Sequence, residues 1–340
     1  MSALVIDAAT LRECVGFQDL VEPTARAFRE FSDKKADAKF VAIFPAERPE
    51  LGDVYVKTGT IRGHHIFIVK ISPWFAANAA AGIAQGGFIA VFDSATGHTL
   101  AILAEEHYLS DIRTAAAGAV AARALAPSRV RTAAVIGTGV QAFWQPQALF
   151  SERPFERLVI WGRDAAKADR LARRLRPLLP DVTVSVFHDL ETIVRESDVL
   201  ITATASREPL IKGEWLRAGQ HITAVGADDE TKCELDAECF RRAERVIVDS
   251  IETNEKNGDV LRHLSQRKIE REHVHGEIGS VLSGELDGRR TEDEITIAKF
   301  VGLGVQDLVA AEVTLAKLGV RAAAPIGYGA SEEMSLLTTC

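Results

Sequence analysis

Apolar and polar residues alternate in the first third of the chain, whereas longer apolar runs follow in the middle. Alternation over 54–61 and 65–72 is typical of half-buried strands. Residues 87–93 and 99–105 form two more continuously apolar runs, separated by the turn signal "SATGH". A helical stretch over 8–34 precedes all four runs. The pattern predicts a largely antiparallel sheet accompanied by helices.

The pattern changes after Pro127. Apolar runs at 131–137 and 157–162 are each followed by a helical stretch, and further strands and helices continue the alternation. Strands that alternate with helices predict a parallel, doubly wound sheet of the Rossmann type. A final helix over 304–318 closes the chain before a polar tail. We expect that helix to return to the first unit.

Two domains follow from this change of pattern, within an α/β fold class. The first is an α+β domain built from residues 1–127 and 304–340. The second is a Rossmann-type domain over residues 128–303.

Composition narrows the functional classes. The chain has 340 residues, 47% of them hydrophobic, and a net charge of -8, which disfavours a general nucleic-acid binder. It has no apolar run long enough for a membrane span, and its start lacks the pattern of a signal peptide. Its four cysteines are scattered without metal-site spacing. We expect a cytoplasmic protein without a metal, nucleic-acid or membrane partner.

The clearest motif is "VIGTGVQA", which places Gly137, Gly139 and Ala142 directly after a strand and at the opening of a helix. Glycines in this position let the backbone approach a pyrophosphate at the helix N-terminus. The motif therefore predicts dinucleotide binding, and the alternative is a plain tight turn.

The end of the next strand, "IWGRD", concerns the choice of dinucleotide. An arginine at this position pairs with the 2'-phosphate of NADP, whereas a carboxylate accepts the ribose hydroxyls of NAD. Arg163 precedes Asp164 there, so NADP(H) is slightly favoured over NAD(H). The alternative is that Arg163 is a solvated residue at a helix start.

Four charged residues in three segments are candidates for chemistry. Arg113 is predicted to lie in the first turn of the alanine-rich helix "SDIRTAAAGAVAARALA", where a cation is costly unless an anion binds. Lys70 interrupts the apolar strand "FIVKIS", either as an edge lysine or as a desolvated lysine that faces a cleft. Asp228 and Asp229 follow the strand "HITAVG" and serve either as a general base or as helix caps.

A further segment, residues 290–307, is rich in charge before "FVGLGVQD". Its glycines precede the last predicted helix. We interpret it either as a second loop near the nicotinamide or as a turn between the domains.

Taken together, these segments resemble the ornithine cyclodeaminase/mu-crystallin family. The resemblance rests on "FIVKIS", "DIRTAAAGAVAARALA", "VIGTGVQA", "VGADDETKCELD" and "EDEITIAKFVGLGVQD", in the family's order and over nearly the whole chain. It is strongest for a bacterial ectoine-utilisation subgroup. It implies a Rossmann domain and a second domain for substrate binding and homodimer formation. Members move a hydride at the α-carbon of an amino acid or its imine.

The resemblance implies roles for individual residues. Lys70 and Asp228 match the family's catalytic lysine and aspartate, and Arg113 matches its carboxylate-binding arginine. Lys57 and Lys70 are expected to assist Arg113 in binding the substrate. The candidate cofactor contacts are Arg113, Thr114, Gly137, Thr138, Gly139, Val140, Gln141, Arg163, Thr202, Ala224, Val225 and Lys232.

Departures from the family pattern concern the substrate. Many members have a second carboxylate-binding arginine in the strand before that of Lys70, where this chain has Val41, and Lys57 is expected to compensate. Glu230 and Thr231 replace a Pro–Gly pair, and Gln85 is only a loose match to a cofactor contact.

These observations predict an NAD(P)-dependent oxidoreductase of the imine reductase or amino-acid dehydrogenase type, acting at the Cα–N bond of a small amino or imino acid. Ectoine catabolism or a related amino-acid pathway is the implied context. One alternative is a cyclodeaminase that retains NAD and releases ammonia. The other is a non-catalytic, crystallin-like protein that binds NADPH.

Overall fold

The computed structural model describes residues 3–48 and 51–320, which form two β-sheets with helices packed on them. The first sheet consists of strands β1 to β6: Leu4–Asp7, Ala36–Ile43, Gly52–Ile61, Ile66–Phe75, Phe88–Asp93 and Thr99–Ala104. Their order is β1-β6-β5-β4-β3-β2, and only the β1–β6 pair is parallel. The largely antiparallel sheet is thus confirmed, although the sequence pattern does not indicate the two edge strands, β1 and β2.

The second sheet is entirely parallel. Its strands β7 to β14 are Thr132–Ile136, Arg157–Trp161, Thr183–Val186, Val199–Thr202, His221–Ala224, Arg245–Val248, Gly276–Glu277 and Thr296–Lys299. They lie in the order β13-β12-β14-β11-β10-β7-β8-β9. The Rossmann-type doubly wound sheet is confirmed. The interpretation of 290–307 as only a loop or turn is wrong, because β14 lies inside the sheet between β11 and β12.

The helices run from α1 to α12: Ala8–Cys14, Phe17–Ser32, Ala76–Ala81, Tyr108–Leu125, Val140–Glu152, Ala165–Leu175, Leu190–Glu196, Ala237–Arg242, Ile251–Asn254, Gly258–Ser265, Ile278–Ser283 and Gly304–Lys317. Helix α4 is buried on nearly every side and packs against α5, where a Cβ on Gly118 would overlap the Gln145 side chain. Small residues are therefore required on this helix for close packing. None of the helices in the described part of the chain is long and apolar enough for a bilayer crossing.

Strand register decides which polar side chains meet. Lys57 of β3 lies directly opposite Lys70 of β4, and Tyr55 lies opposite Ser72. Residues opposite each other in an antiparallel pair project to the same face, and alternate residues share that face. Both lysines therefore share one face of the sheet.

Helix α12 covers this face of the sheet. Gly304 lies so close to Gly59 that a Cβ on Gly59 would overlap the Gly304 carbonyl group. The helix also packs against α2 and α4, which contribute to the same hydrophobic core. The chain thus returns after the parallel sheet to pack on its first strands. The boundaries proposed at 127/128 and 303/304 stay a prediction, and residues 321–340 of the first predicted domain lie outside the described residues.

Candidate functional site

The glycine loop opens a groove at the carboxyl ends of the parallel strands. Gly137 has a φ of +134°, and a Cβ there would overlap the Ala203 carbonyl group. Gly139 is the N-cap of α5 without any side-chain capping bond, and the space beside it is open. The free N–H groups at the start of α5 therefore border a groove that Thr138 also lines. Free N–H groups at a helix N-terminus suit a phosphate group.

At its other end the groove is lined by Arg163, Asp164 and Lys167. Asp164 caps α6, because its Oδ1 atom accepts a hydrogen bond of 3.0 Å from the Lys167 backbone N–H. Both cationic side chains are exposed, and neither forms an ion pair with any residue in 3–48 or 51–320. The groove thus ends in two free cations and one carboxylate that is used as a cap.

The predicted contacts on β10 and β11 lie behind the groove. Thr202 and Ala224 are fully buried strand ends, and the Thr202 hydroxyl donates to Glu234 at 2.8 Å. Val225 is also buried, and its N–H donates to the Thr202 carbonyl group. Thr204 lines the groove just beyond Thr202.

Helices α4 and α5 begin side by side near the glycine loop. The Gln141 side-chain amide donates to the Asp111 carbonyl group at 3.2 Å, and the Thr114 hydroxyl donates to the Ser110 carbonyl group at 2.8 Å. Val140, the first residue of α5, is exposed. Gln141 therefore braces the two helix starts against each other.

Three cations and one carboxylate meet in the interior of the protein. We call Lys57, Lys70, Arg113 and Asp307 the buried cation cluster. Asp307 Oδ1 accepts hydrogen bonds from Lys70 Nζ at 3.1 Å and from Arg113 Nε at 3.0 Å. Lys57 Nζ donates to the Gly302 carbonyl group at 2.9 Å. Relative exposures are 8% for Lys57, 2% for Lys70, 6% for Arg113 and 0% for Asp307. Lys70 is thus not an edge lysine that reaches solvent.

The cluster perturbs its own members. Burial acts to raise the pKa of Asp307, but Arg113, Lys70 and Lys57 outweigh it, and the net pKa is lowered. Burial, with repulsion from Arg113 and Lys70, lowers the pKa of Lys57 to about 7. Asp307 therefore stays ionised, while Lys57 is poised to change charge near neutral pH.

The position of Arg113 differs from the sequence expectation. Helix α4 begins at Tyr108, so Arg113 lies in the second turn rather than the first. Within the protein, the Arg113 Nε–H donates a hydrogen bond to the Asp307 carboxylate on α12. One terminal nitrogen lies 3.5 Å from the Gln306 side-chain oxygen. Gly302 has a φ of +92°, and a Cβ there would lie 2.6 Å from this guanidinium. The terminal nitrogens are the atoms left for an external carboxylate.

The two aspartates in the loop after β11 form different contacts. Asp229 Oδ1 accepts hydrogen bonds from the backbone N–H groups of Thr231 and Lys232, so Asp229 caps the turn. Asp228 is partly exposed and pairs with Lys232 Nζ at 2.6 Å. No helix begins here, since α8 starts at Ala237. Asp228 is thus not a helix cap, and its catalytic role stays a prediction.

The Asp228 loop faces the first sheet. Asp228 acts electrostatically on Asp53, Tyr55 and Lys57, which alternate along β3. Burial is the largest of the causes that raise the pKa of Asp53 to about 6. The Asp228 loop therefore lies near Lys57 of the buried cation cluster.

Two of the positions named as departures lie away from the cluster. Val41 is exposed and pairs with Val56, on the face opposite to Lys57, while Phe40 lies beside Lys57 with its ring centre 5.5 Å from Nζ. Gln85 bonds the backbone of Phe75. The Phe40 ring therefore lies beside Lys57 on the same face of the first sheet.

Sequence reasoning did not identify several residues of the site. Asp307 was part of a quoted motif but had no role. Glu105 is fully buried, 3.9 Å from Lys70 Nζ, and accepts hydrogen bonds from Ser110. Burial and the neighbouring Glu105 raise the pKa of Asp111 to about 7. The only sequence signal for Glu105 and Asp111 was their position, just before and within the helix that carries Arg113.

The groove suits the phosphates of a dinucleotide at the start of α5. The uncapped start of α5 and the open space at Gly139 are the observations that fit such a group. Within residues 3–48 and 51–320, no cluster of His, Cys, Asp and Glu side chains is arranged to hold a metal ion.

The parallel sheet and its glycine loop define a Rossmann-type α/β protein with an additional mixed sheet. The chain belongs to the ornithine cyclodeaminase/mu-crystallin family, whose model matches residues 3–318. The family resemblance found in the sequence is confirmed.

Similar proteins differ in their named activities. The uncharacterized cyclodeaminase y4tK of Sinorhizobium fredii is 36% identical over 322 residues, which cover 94% of this chain and 97% of that protein. Thermococcus litoralis Δ1-pyrroline-2-carboxylate reductase, in complex with NADH and L-proline, has a TM-score of 0.86 at 28% identity, covering 92% and 97% of the two chains. An archaeal alanine dehydrogenase dimer with bound NAD also has a TM-score of 0.86 at 28% identity, covering 93% and 96%.

Proposed function

We propose that this protein is a nicotinamide-dependent oxidoreductase that reduces a small α-imino acid, or a keto acid with ammonia, to the amino acid. The buried cation cluster is the observation that carries the proposal. Its three cations face two buried carboxylates, Asp307 and Glu105, which leaves one excess positive charge when Lys57 is protonated. A single substrate carboxylate would balance that charge. The similar reductase with NADH and L-proline supports this class of substrate.

Each charged residue has a distinct part in the proposed reaction. Arg113 offers its terminal nitrogens to the substrate carboxylate, and Lys57 adds a second donor when it is protonated. Lys70 donates a hydrogen bond to the carboxylate or to the carbonyl oxygen of a keto acid. Asp228 exchanges a proton with the substrate nitrogen or with water. The nicotinamide, when bound, supplies the hydride that Cα accepts as the C=N bond becomes a single bond.

We propose NADP(H) as the preferred cofactor. Arg163 and Lys167 are exposed at the end of the groove without ion-pair partners in the described part of the chain, so both are free to contact a 2'-phosphate. Asp164 is engaged as a helix cap. Gly137, Thr138, Gly139, Val140 and Gln141 would hold the pyrophosphate.

Assembly and context form part of the same proposal. The dimeric alanine dehydrogenase supports a homodimer, and the scattered cysteines support a cytoplasmic location. The subgroup resemblance makes imino acids related to diaminobutyrate or aspartate, from ectoine breakdown, the first compounds to test.

The test begins with purified protein, scanned for bound nicotinamide. NADPH or NADH is then supplied with cyclic imino acids, and separately with pyruvate or oxaloacetate plus ammonia. Steady consumption of reduced cofactor with one of these supports the reductase. Ammonia release from ornithine or diaminobutyrate without net cofactor change contradicts it in favour of a cyclodeaminase. Cofactor binding without any turnover contradicts it in favour of a binding protein.

A further inference from the structure

Glu234 lies beneath the two loops that border the cofactor groove and is fully buried. Its Oε1 atom accepts hydrogen bonds from the N–H and the hydroxyl of Thr204, at 2.6 and 2.8 Å. Its Oε2 atom accepts from the Thr202 hydroxyl at 2.8 Å and from the Gly226 N–H at 2.9 Å. One carboxylate therefore ties the end of β10 to the end of β11.

Two further buried charges hold the segment that carries Glu234. Asp259 Oδ1 accepts the backbone N–H groups of Glu234 and Leu235, at 2.6 and 2.9 Å. Lys299 Nζ lies 3.7 Å from Asp259 Oδ2 and donates to the Ala227 carbonyl group at 2.6 Å. Asp259 and Lys299 are both 0% exposed.

The network is joined directly to the Asp228 loop. The Gly226 N–H donates a hydrogen bond to Glu234, and the Ala227 carbonyl group accepts one from Lys299. The two residues before Asp228 are therefore fixed by buried side chains. The Asp229 carbonyl group accepts a hydrogen bond of 2.8 Å from the Gly258 N–H.

We propose that Glu234 is a positioning residue that sets both the Thr204 side of the cofactor groove and the placement of Asp228. The inference rests on the proposed function, since it concerns how nicotinamide and the catalytic aspartate are held in register. Four donors converge on a carboxylate that has no hydrogen of its own to offer, so the ionised form satisfies all four. An amide or a protonated carboxyl group satisfies fewer, because it places a donor against donors.

The ionisation of Glu234 provides a separate readout. Burial, with repulsion from Asp259, raises the pKa of Glu234 to about 7, although Lys299 and the hydrogen bonds from Thr202 and Thr204 oppose this shift. Asp259 and Lys299 are the charged groups that face it. As the pH falls through about 7, protonation would remove acceptors from the loops. Cofactor affinity is expected to decrease in that range.

The test compares wild type with Glu234→Gln, using whichever of NADPH and NADH binds wild type more tightly. Loss of two charge-assisted hydrogen bonds predicts a rise in cofactor Kd of roughly 10- to 100-fold. It also predicts a lower kcat with little change in substrate KM, because the buried cation cluster lies on other elements. Protonation of Glu234 should weaken cofactor binding by wild type below pH 7. Glu234→Gln has no such group to protonate, so this part of the pH dependence of the cofactor Kd should be absent.

The matched control is Glu238→Gln, an exposed carboxylate of α8 that pairs with Arg241. It should match wild type in cofactor Kd and kcat. If Glu234→Gln does not fold, Thr202→Val removes one buried donor and should raise the cofactor Kd about fivefold to tenfold.

The outcomes separate the two proposals. A folded Glu234→Gln variant with wild-type cofactor Kd and kcat would overturn the inference, even if its melting temperature falls, because the residue would then be structural only. Wild-type affinity in Thr202→Val would overturn it as well. A wild-type protein that binds neither NADPH nor NADH would overturn the proposed function and the inference together.

Discussion

Arg113 is predicted to have two separable functions, and a double variant distinguishes them. In the structure its Nε–H donates a hydrogen bond of 3.0 Å to the buried Asp307 carboxylate. In the proposed reaction it also binds the substrate carboxylate through its terminal nitrogens. Arg113→Ala removes both contacts, whereas Arg113→Ala combined with Asp307→Asn also removes the buried carboxylate that pairs with Lys70.

The magnitudes follow from burial. Removing one partner of a buried ion pair costs about 3–5 kcal/mol, and Asp307 keeps Lys70 at 3.1 Å, so we expect the lower end of that range for Arg113→Ala. In a protein of this size that corresponds to a melting temperature lower by roughly 5 °C. Loss of two hydrogen bonds to a substrate carboxylate costs at least about 3 kcal/mol, which is roughly 100-fold in kcat/KM.

The assay measures thermal unfolding and steady-state kinetics on wild type, the single variant and the double variant. The double variant should lose further melting temperature, because buried Lys70 then lacks its carboxylate partner at 3.1 Å. Its kcat/KM should stay near that of the single variant. The reasoning is refuted if Arg113→Ala retains wild-type kcat/KM, or if kcat/KM of the double variant decreases further in parallel with its stability.

Three further predictions concern the other charged residues. Because Lys57 has a pKa lowered to about 7, its charge is present below that pH and lost above it, so kcat/KM should decrease above pH 7; Lys57→Met should lower kcat/KM and remove this limb of the pH profile. Replacing Arg163 and Lys167 together by Ala should raise the Kd of NADPH about tenfold or more and that of NADH less than about twofold, and equal effects on both would contradict the 2'-phosphate assignment. Asp228→Asn should lower kcat about 100-fold or more with an unchanged melting temperature, whereas Asp229→Ala should lower the melting temperature through loss of its turn cap; the reverse pattern would exchange the two roles.

Local patterns were sufficient to predict the fold class and the turn at the glycine loop. The glycine loop depends on residues 137–142, which are adjacent in sequence, and backbone requirements at Gly137 determine the residue type there. The strands and helices around it follow from hydrophobic periodicity over short windows. Such signals require no knowledge of distant contacts.

The buried partner of Lys70 and Arg113 could not be predicted from local sequence patterns. Lys70 and Asp307 are separated by 237 residues, and they meet only because α12 returns to the first sheet. Arg113 and Asp307 are 194 residues apart. Nothing in either local pattern indicates the pairing, so the anion beside Arg113 was expected to be the substrate alone.

Strand β14 was missed for a related reason. A buried lysine, Lys299, ends this strand, and a charged segment precedes it, so its polarity resembles that of a loop. The lysine is accommodated because Asp259 and the Ala227 carbonyl group face it inside the protein. Polar residues with buried partners hide a strand from any argument based on hydrophobicity.

Transfer of deuterium tests the central claim most directly. Reduced cofactor that carries deuterium on the transferred C4 position is supplied with an α-imino acid, and the amino acid product is analysed by mass spectrometry. The account predicts one deuterium on Cα of each product molecule, with an equal amount of oxidised cofactor formed. Product without label, or ammonia release without net oxidation of the cofactor, would contradict it.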